Sequence, residues 1–247
     1  MYRISAGFLA GTLGMCSLVA GQTEQSVLDG VTVANQVFDA SAGTLTFEIR
    51  NDSRRDLVAW VSTRTIEDVN GRVATTQQLT DESVTHALAT APGLAYRPVH
   101  TAETFIPAGN SRTIVERLRP PRAVQTKAIQ LTTATASLSA VVFADGRAFG
   151  NAEAIGRIDQ GRKQLATDYL AALNALKTAL EKKSPEVANG LRLSGQTLSK
   201  RGADMVTRAA DTIDKQPDAV SRERVLGGLI QTYEATHAAL TRPIVLQ

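Results

Sequence analysis

The sequence predicts a segregated α+β fold, in which an antiparallel β-sandwich of about seven strands precedes about three amphipathic helices. Two observations carry this prediction. Between residues 31 and 149, short runs of alternating apolar and polar residues are separated by turn signals, as in half-buried strands. From Asn151 onward the apolar residues instead recur about every 3.6 positions, which is the period of a helix. We therefore assign residues 22–150 to the sandwich and residues 151–247 to the helical region.

The first 21 residues have the three parts of a secretory signal peptide. Arg3 supplies a positive start, residues 4–19 are apolar, and the small residues Ala20 and Gly21 close the run. The apolar run is too short and too rich in glycine for a membrane span of about 20 residues. We expect cleavage near Ala20 and Gly21 and an exported protein, periplasmic or secreted, whose mature chain has no membrane span.

Cys16 leaves one alternative to a cleaved leader. Residues 13–16 weakly resemble a lipobox, which would anchor the protein through a lipid on Cys16, although Met15 stands where that motif needs a small residue. Cys16 is also the only cysteine of the chain. A mature chain cut after it therefore has no thiol for catalysis, for a disulfide or for a cysteine metal site.

The first half of the sandwich is defined by alternation and by turns. Strands are predicted at residues 31–38, 44–50 and 57–65, the last containing Trp60, which we expect in the core. A polar turn occupies residues 51–55. Asn70-Gly71 is a hairpin signal, because both residues tolerate positive φ.

The second half of the sandwich contains four more predicted strands. They lie at residues 113–118, 127–135, 138–144 and 147–149, with Asp145-Gly146 turning the chain into the last. The alanine-rich residues 83–96 are compatible with a loop or with a short helix.

Four stretches of this region resemble a known family. They are FEIRNDS at 47–53, AWV at 59–61, IPAGNS at 106–111 and VVFADG at 141–146. They resemble immunoglobulin- and fibronectin-III-like domains of exported bacterial proteins, including uncharacterised ones that join such a sandwich to a helical tail. The resemblance covers about residues 27–150 and implies a sandwich without the paired cysteines of antibody domains. It implies little about function, because sandwiches host many unrelated roles.

Capping residues divide the helical region into three predicted helices. Asn151 caps the first, which ends at Lys182-Lys183. Ser184 and Pro185 start the second, which runs to Pro217 despite three internal glycines, and the third extends from Asp218 to Pro243. Each apolar stripe must be buried, so we expect a three-helix bundle or a helical layer against the sandwich.

The densest basic stretch is the only candidate binding site that the sequence offers. It contains Arg112, Arg117, Arg119, Arg122 and Lys127. Arg117, Arg119 and Arg122 are candidates for contact with an anionic envelope polymer, with lipid headgroups or with an acidic protein surface. The alternative is a solvated strand edge, on which charge and proline discourage pairing with another strand.

No other motif indicates catalysis, a metal or a cofactor. The three histidines, His86, His100 and His237, have no ligand spacing, and we interpret His237 as a packed residue on the apolar face of its helix. Glu67, Asp68 and Asn70 resemble a fragment of a calcium loop, but the Asn-Gly hairpin explains them. We predict no catalytic residue, no metal and no cofactor.

Composition narrows the classes of partner. Aromatic residues make up 4% of the chain and its formal charge is +3, which argues against a nucleic-acid binder. We expect a non-enzymatic exported module that binds a protein or another envelope component. The alternatives are an extracytoplasmic hydrolase with a site not visible in the sequence, and a structural protein that self-assembles through its helices. The oligomeric state is left open.

Overall fold

A computed structural model describes residues 27–90, 105–118, 131–182 and 186–247. Outside these ranges lie the predicted leader with Cys16, Ala20 and Gly21, the basic residues Arg119, Arg122 and Lys127, and the helix start at Ser184 and Pro185. Within them the chain is a mixed α+β protein with two sheets and five helices. None of the helices in this described part is long and apolar enough to cross a membrane.

The smaller sheet has three antiparallel strands. They are β1 (Val31–Asp39), β2 (Thr44–Asn51) and β5 (Asn110–Arg117), in the order β1-β2-β5. The alternation predicted for β2 is confirmed, because Leu45, Phe47 and Ile49 all point inward and are at most 1% exposed. One face of this sheet is therefore apolar and must be covered.

The larger sheet has five strands in the order β4-β3-β6-β7-β8. They are β3 (Leu57–Asp68), β4 (Val73–Asp81), β6 (Leu131–Phe143), β7 (Arg147–Gly150) and β8 (Val245–Leu246). The predicted Asn-Gly turn joins β3 to β4, with Gly71 at a φ of +72°. All neighbours are antiparallel except β7 and β8, which are parallel.

Two predictions about these strands need correction. Separate strands at 127–135 and 138–144 are wrong, because β6 continues from Leu131 through Ala136 and Ser137 without a turn residue. Residues 127–130 lie outside the described ranges. Strand β4 had no predicted bounds and was indicated only by the Asn-Gly hairpin, because its residues are mostly polar and exposed. Strand β8 was not predicted, because its two residues carry no periodic signal and pair with a strand far away in sequence.

The two sheets share one hydrophobic core. The smaller sheet contributes Val31, Leu45, Phe47 and Ile49, and the larger sheet contributes Leu57, Trp60, Val141 and Phe143, among others. Trp60 is 2% exposed, so its assignment to the core is confirmed. Burial of these side chains, each worth about 1.5–3 kcal/mol, is what joins the sheets.

The five helices are α1 (Ser83–Thr90), α2 (Ala152–Lys182), α3 (Val187–Gly195), α4 (Lys200–Asp214) and α5 (Ala219–Leu240). Helix α1 settles the first part of the ambiguous segment, whose residues 91–96 are not described. The predicted cap of α2 is confirmed, since Asn151 Oδ1 accepts the backbone N–H of Ala154 at 3.0 Å. The predicted start of α5 at about Asp218 is confirmed as well. The structure shows Asp218 as its N-cap, with Oδ1 2.8 Å from the Ser221 amide nitrogen.

The single second helix that we predicted is wrong. The chain leaves the helix after Gly195 and starts α4 with Ser199 as a new N-cap, whose Oγ accepts the N–H of Gly202 at 3.0 Å. A serine that bonds to the backbone in this way favours a helix start over a helix interior. The result is a pair of short helices, α3 and α4, that pack on each other.

Helix α2 connects the sheets to the helices. Its first turns place Ala154, Ile155 and Ile158 on the outer face of the larger sheet. That face is built there from the small residues Ala59, Val61, Ala140, Val142 and Ala148. The second half of α2 packs with α3, α4 and α5 around a separate core that includes Leu176, Leu191 and Ile213. Helix α2 thus takes part in both a layer on the sheet and a helical bundle, but the bundle has four helices, α2 to α5, where we predicted three.

A buried ion pair fixes this helix to the edge of the sheet. Arg162 of α2 is 3% exposed, and its Nε and Nη2 donate to the two carboxylate oxygens of Asp81 at 2.8 and 3.2 Å. Asp81 Oδ1 also accepts the N–H of Ser83 at 3.0 Å, at the start of α1. Asp81 therefore links strand β4, helix α1 and helix α2.

We expect Arg162→Leu to lower the free energy of unfolding by about 3 kcal/mol, because it leaves the Asp81 carboxylate partly buried without its cation. Urea denaturation followed by circular dichroism measures the loss. Lys163→Leu is the matched control, since Lys163 pairs with Asp159 at the surface of the same helix and should cost less than about 1 kcal/mol. Equal losses in the two variants would contradict the assignment.

Gly150 permits the tight passage from β7 into α2. Its φ is +109°, and a Cβ at this position would fall on the carbonyl oxygen of Ser139. We expect Gly150→Ala to destabilise the protein by about 2–4 kcal/mol in thermal and urea unfolding. Gly161→Ala has open space around it inside α2 and should stabilise by about 0.5–1 kcal/mol. A neutral Gly150→Ala would show that this contact is not required.

Candidate functional site

Three chain segments meet at one end of the two sheets. They are the approach to β1 with Asp29 and Gly30, the β2–β3 loop at residues 52–55, and the β6–β7 turn with Asp145 and Arg147. Together they line an open, shallow pocket of about 600 Å³, which we call the loop-end pocket. Its lining consists of Asp29, Gly30, Asp52, Ser53, Arg54, Arg55, Asp145 and Arg147.

Asn51 at the end of β2 fixes the conformation of the β2–β3 loop. This residue is fully buried, and its side-chain amide donates to the carbonyl oxygens of Arg55 and Ile106 at 2.8 and 2.9 Å. Its Oδ1 accepts the hydroxyl of Ser53 at 2.6 Å. The loop is therefore held by a satisfied buried amide, which places residues 52–55 in a defined position.

Arg55 forms the floor of the pocket. Its guanidinium carbon lies 4.6 Å from the ring centre of Phe143 and 5.6 Å from that of Phe149. The same group pairs with Asp29 and lies 3.9 Å from a carboxylate oxygen of Asp145. Arg55 thus packs on the core through its flat face while two carboxylates balance its charge.

The rim of the pocket carries exposed charges of both signs. Arg54, Arg147 and Asp52 are exposed, and Arg147 Nε lies 3.5 Å from Asp145. Within the described ranges, neither Arg54 nor Asp52 has an ion-pair partner. The pocket therefore presents a mixed-charge surface that can complement a partner carrying both acidic and basic groups.

A second cavity, of about 700 Å³, lies between α2 and α4. Asp168 is 5% exposed at its base, and its Oδ1 accepts the hydroxyl of Ser199 at 2.6 Å. Arg201 Nη1 lies 3.8 Å from the other carboxylate oxygen. Because Ser199 caps α4, these contacts attach the start of α4 to α2. The polar contacts of Asp168 in this cleft are therefore explained by the packing of α4 on α2.

A pair of tyrosines packs beside that cleft. Tyr169 meets Tyr233 edge-on, with ring centres 5.2 Å apart, and the Tyr233 hydroxyl donates to the carbonyl oxygen of Met205 at 3.2 Å. Burial raises the pKa of Tyr169, and the charge of Arg201 opposes that shift. Tyr169 therefore remains a neutral phenol at physiological pH.

Two residues of the predicted basic stretch, Arg112 and Arg117, lie in the described ranges, and they are on opposite faces of β5. Arg117 is exposed, whereas Arg112 points inward, 5.9 Å above the ring of Trp60, with Nη1 3.9 Å from a Glu82 oxygen. Residues five positions apart on a strand lie on opposite faces. A patch that combines Arg117 with Arg119 and Arg122 stays a prediction, because the last two are not described.

Glu116 also points inward and bridges the two sheets. Arg64 of β3 donates from Nη2 to Glu116 Oε1 at 2.8 Å, with side chains 15% and 9% exposed. Burial raises the pKa of the Glu116 carboxyl, and the positive charge of Arg64 opposes that shift. This pair crosses the space between the sheets at the end away from the loop-end pocket.

The two histidines in the described ranges, His86 and His237, pack against neighbouring residues of the fold. His86 Nε2 lies 3.0 Å from Asp56 Oδ2, and its ring meets Phe105 edge-on at 4.8 Å. His237 is half-buried in the last turn of α5, and its carbonyl accepts the Thr241 N–H at 3.0 Å. His100 is not described. In the described ranges no group of three or more histidine, cysteine or acidic side chains is placed to hold a metal ion.

The hairpin interpretation of Asp68 and Asn70 is confirmed. Asp68 Oδ1 accepts the backbone N–H groups of Asn70 and Arg72 at 2.8 and 3.0 Å. These hydrogen bonds, chiefly that from Arg72, hold the pKa of Asp68 below its usual value. The carboxylate is thus used to close the turn.

The sequence predicts turns at residues 51–55 and 145–146 and a strand at 147–149, and it assigns nothing to Asp29 and Gly30. Nothing in these local signals indicates that the segments meet. Comparison of the chain with protein-family models, with curated proteins and with solved structures found no match.

We expect the wild type to lose stability relative to Glu116→Gln as the pH rises from 4 to 7. A carboxyl with a raised pKa binds its proton more readily in the folded chain, so its contribution is present at low pH and lost as pH rises. Urea unfolding across this range measures the difference between the two proteins.

Glu48→Gln provides a control of opposite sign. The hydroxyl of Ser111 and the guanidinium of Arg50 lower the pKa of Glu48, so its contribution is present at neutral pH and lost as pH falls. The same direction of pH dependence in both comparisons would contradict the assignment for Glu116.

Proposed function

We propose that this chain is an exported, non-catalytic module that binds a protein component of the cell envelope through its loop-end pocket. The observation that carries the proposal is the convergence of three chain segments around a pocket with a fixed floor and charged, exposed rim residues. Export is proposed from the leader at residues 1–21. The mature protein would then meet its partner outside the cytoplasm.

The strand order supports an immunoglobulin- or fibronectin-III-like sandwich as the fold of residues 27–150. Lettering the first seven strands A to G in chain order gives the sheets A-B-E and D-C-F-G. The antibody constant-type arrangement is A-B-E-D and C-F-G, so the two differ in the sheet that the fourth strand joins. We propose that β8 and the helices are additions to this sandwich.

The position of the pocket supports a binding role. On this lettering, the β2–β3 loop and the β6–β7 turn correspond to the B–C and F–G connections. These connections lie at the end of an immunoglobulin variable domain that binds antigen. A rigid scaffold that presents loops at one end is a common arrangement for recognition.

The charges of the pocket favour a protein partner over an anionic polymer. A polyanion requires a surface of one sign, whereas Arg54 and Arg147 alternate here with Asp52 and Asp145. A folded protein surface can offer both signs in a matching pattern, which gives specificity and steers association. The cleft between α2 and α4 supports no second function, because Asp168 is engaged in holding the cap of α4.

We expect the double variant Arg54→Ser/Arg147→Ser to weaken partner binding about tenfold or more, because two rim contacts are lost that together contribute about 1.4 kcal/mol. Affinity capture of the tagged protein from native envelope extract identifies the partner. Titration with the purified partner then measures the affinity.

The matched control is Arg72→Ser/Arg224→Ser. Both arginines are exposed, one in the β3–β4 hairpin at the other end of the sheet and one on α5. This variant should keep the affinity within about twofold of the wild type. Unchanged capture by the Arg54→Ser/Arg147→Ser variant would exclude the loop-end pocket as the binding surface.

A further inference from the structure

In the part of the chain that the structure describes, the two sheets end in four edge strands, and three of the four carry a feature that hinders pairing with another strand. Strand β1 has a register shift between Ala34 and Val37, with Asn35 at a φ of +51°. Strand β5 carries charged side chains, and β8 is two residues long. These are the ordinary protections of a sheet edge: a bulge, charge and shortness.

The fourth edge, β4, lacks these protections over residues 73–80, because its one charged residue, Asp81, is at its last position and is paired with Arg162. Its nine residues pair with β3 without any register shift. Residues 73–80 contain no charged residue and no proline. Val73 and Leu79 are 62% and 43% exposed, and residues 75–78 are exposed as well. Within the described ranges, no other strand pairs with this edge.

The hydrogen bonds at the two ends of β4 show which of its backbone groups face outward. Asp68 N–H donates to Arg72 O at 3.1 Å, and Glu82 N–H donates to Val58 O at 2.7 Å. Even-numbered residues of β4 therefore direct their backbone groups toward β3. Because these directions alternate along a strand, the N–H and C=O groups of Val73, Thr75, Gln77 and Leu79 face away from the sheet.

Strand β4 is already held in the extended conformation that pairing with another strand requires. The side chain of Gln77 donates to Thr63 Oγ1 on β3 at 3.2 Å and accepts from Arg157 of α2. Its backbone N–H and C=O are left pointing outward. A strand that is already ordered loses little conformational freedom when a further strand pairs with it.

We propose that β4 pairs with β4 of a second copy of this chain, antiparallel about a twofold axis at Thr76. In this register Val73 lies opposite Leu79 of the second copy, and Thr75 lies opposite its Gln77. Val73 and Leu79 are each three positions from Thr76. The twofold axis therefore pairs Val73 of each copy with Leu79 of the other. About eight backbone hydrogen bonds would form between the outward-facing residues.

The chemistry of the strand favours a copy of itself as the occupant. A twofold interface must be self-complementary, because each surface meets its own duplicate. A charged edge would repel its duplicate, whereas the segment 73–80 is uncharged. In the proposed register the apolar Val73 meets Leu79, and the Thr75 hydroxyl meets the Gln77 amide. This interface is independent of the loop-end pocket, since the two share no residue.

Sedimentation velocity of the purified chain over a wide concentration range tests the proposal. We expect a dimer that dissociates on dilution. Thr76→Lys places two ammonium groups on the axis and should raise the dissociation constant at least tenfold. Thr113→Lys adds the same charge at an exposed position on β5, the other sheet's edge, and should change it less than twofold.

A cysteine at the axis tests the register. Directly opposed residues in a non-hydrogen-bonded antiparallel pair have Cα atoms about 4.5 Å apart, which a disulfide can span. In a Cys16→Ser background, Thr76→Cys should give a covalent dimer on mild oxidation, and Thr113→Cys should not. A monomer at every concentration, a dimer insensitive to Thr76→Lys, or no cross-link at Thr76→Cys would each overturn the proposal.

Discussion

The attachment of helix α2 to the outer face of the larger sheet is the interaction on which the rest of the structure depends. Alanine and valine on that face let Ile155 and Ile158 approach closely, and the Arg162–Asp81 pair sets where the helix crosses the sheet edge. Because α2 continues into the helical core, this contact positions α3 and α4 relative to the sheets. Helix α5 packs on α2 as well, and it is also held by α1 and by the pairing of β8 with β7. A buried pair of this kind adds little net stability, but it specifies one arrangement over others.

The residues of the loop-end pocket are likewise held in place by buried contacts. Its floor is Arg55 lying flat on Phe143 and Phe149, which belong to or pack against the core between the sheets. Its main loop is held by Asn51, a fully buried amide whose hydrogen bonds reach two separate segments. A surface that is organised before binding loses less entropy on association. The charges at its rim can then contribute to recognition.

The local features of the fold were predictable from short stretches of sequence. Alternation over a few residues located β2, and short apolar runs between turn signals located β1 and β3. The cap at Asn151 located the start of α2, and Pro217 placed the start of α5 near Asp218. Where the signal was weaker, prediction failed. Glycines suggested only a weakened second helix, and the break after Gly195 depended on the Ser199 cap, which Asp168 of another helix supports.

The sequence by itself determined the broad order of strands before helices and the starts of β1, β2, β3, α2 and α5, because these depend on residues within one or two turns of each other. Helix α1 among the strands and strand β8 after the helices depart from that order. The sites were decided only by the tertiary structure. Asp29, Arg55 and Asp145 meet from three separate segments, and β8 pairs with a strand 98 residues earlier at Arg147 and Val245. Contacts across such separations depend on how the whole chain packs, which no local pattern records.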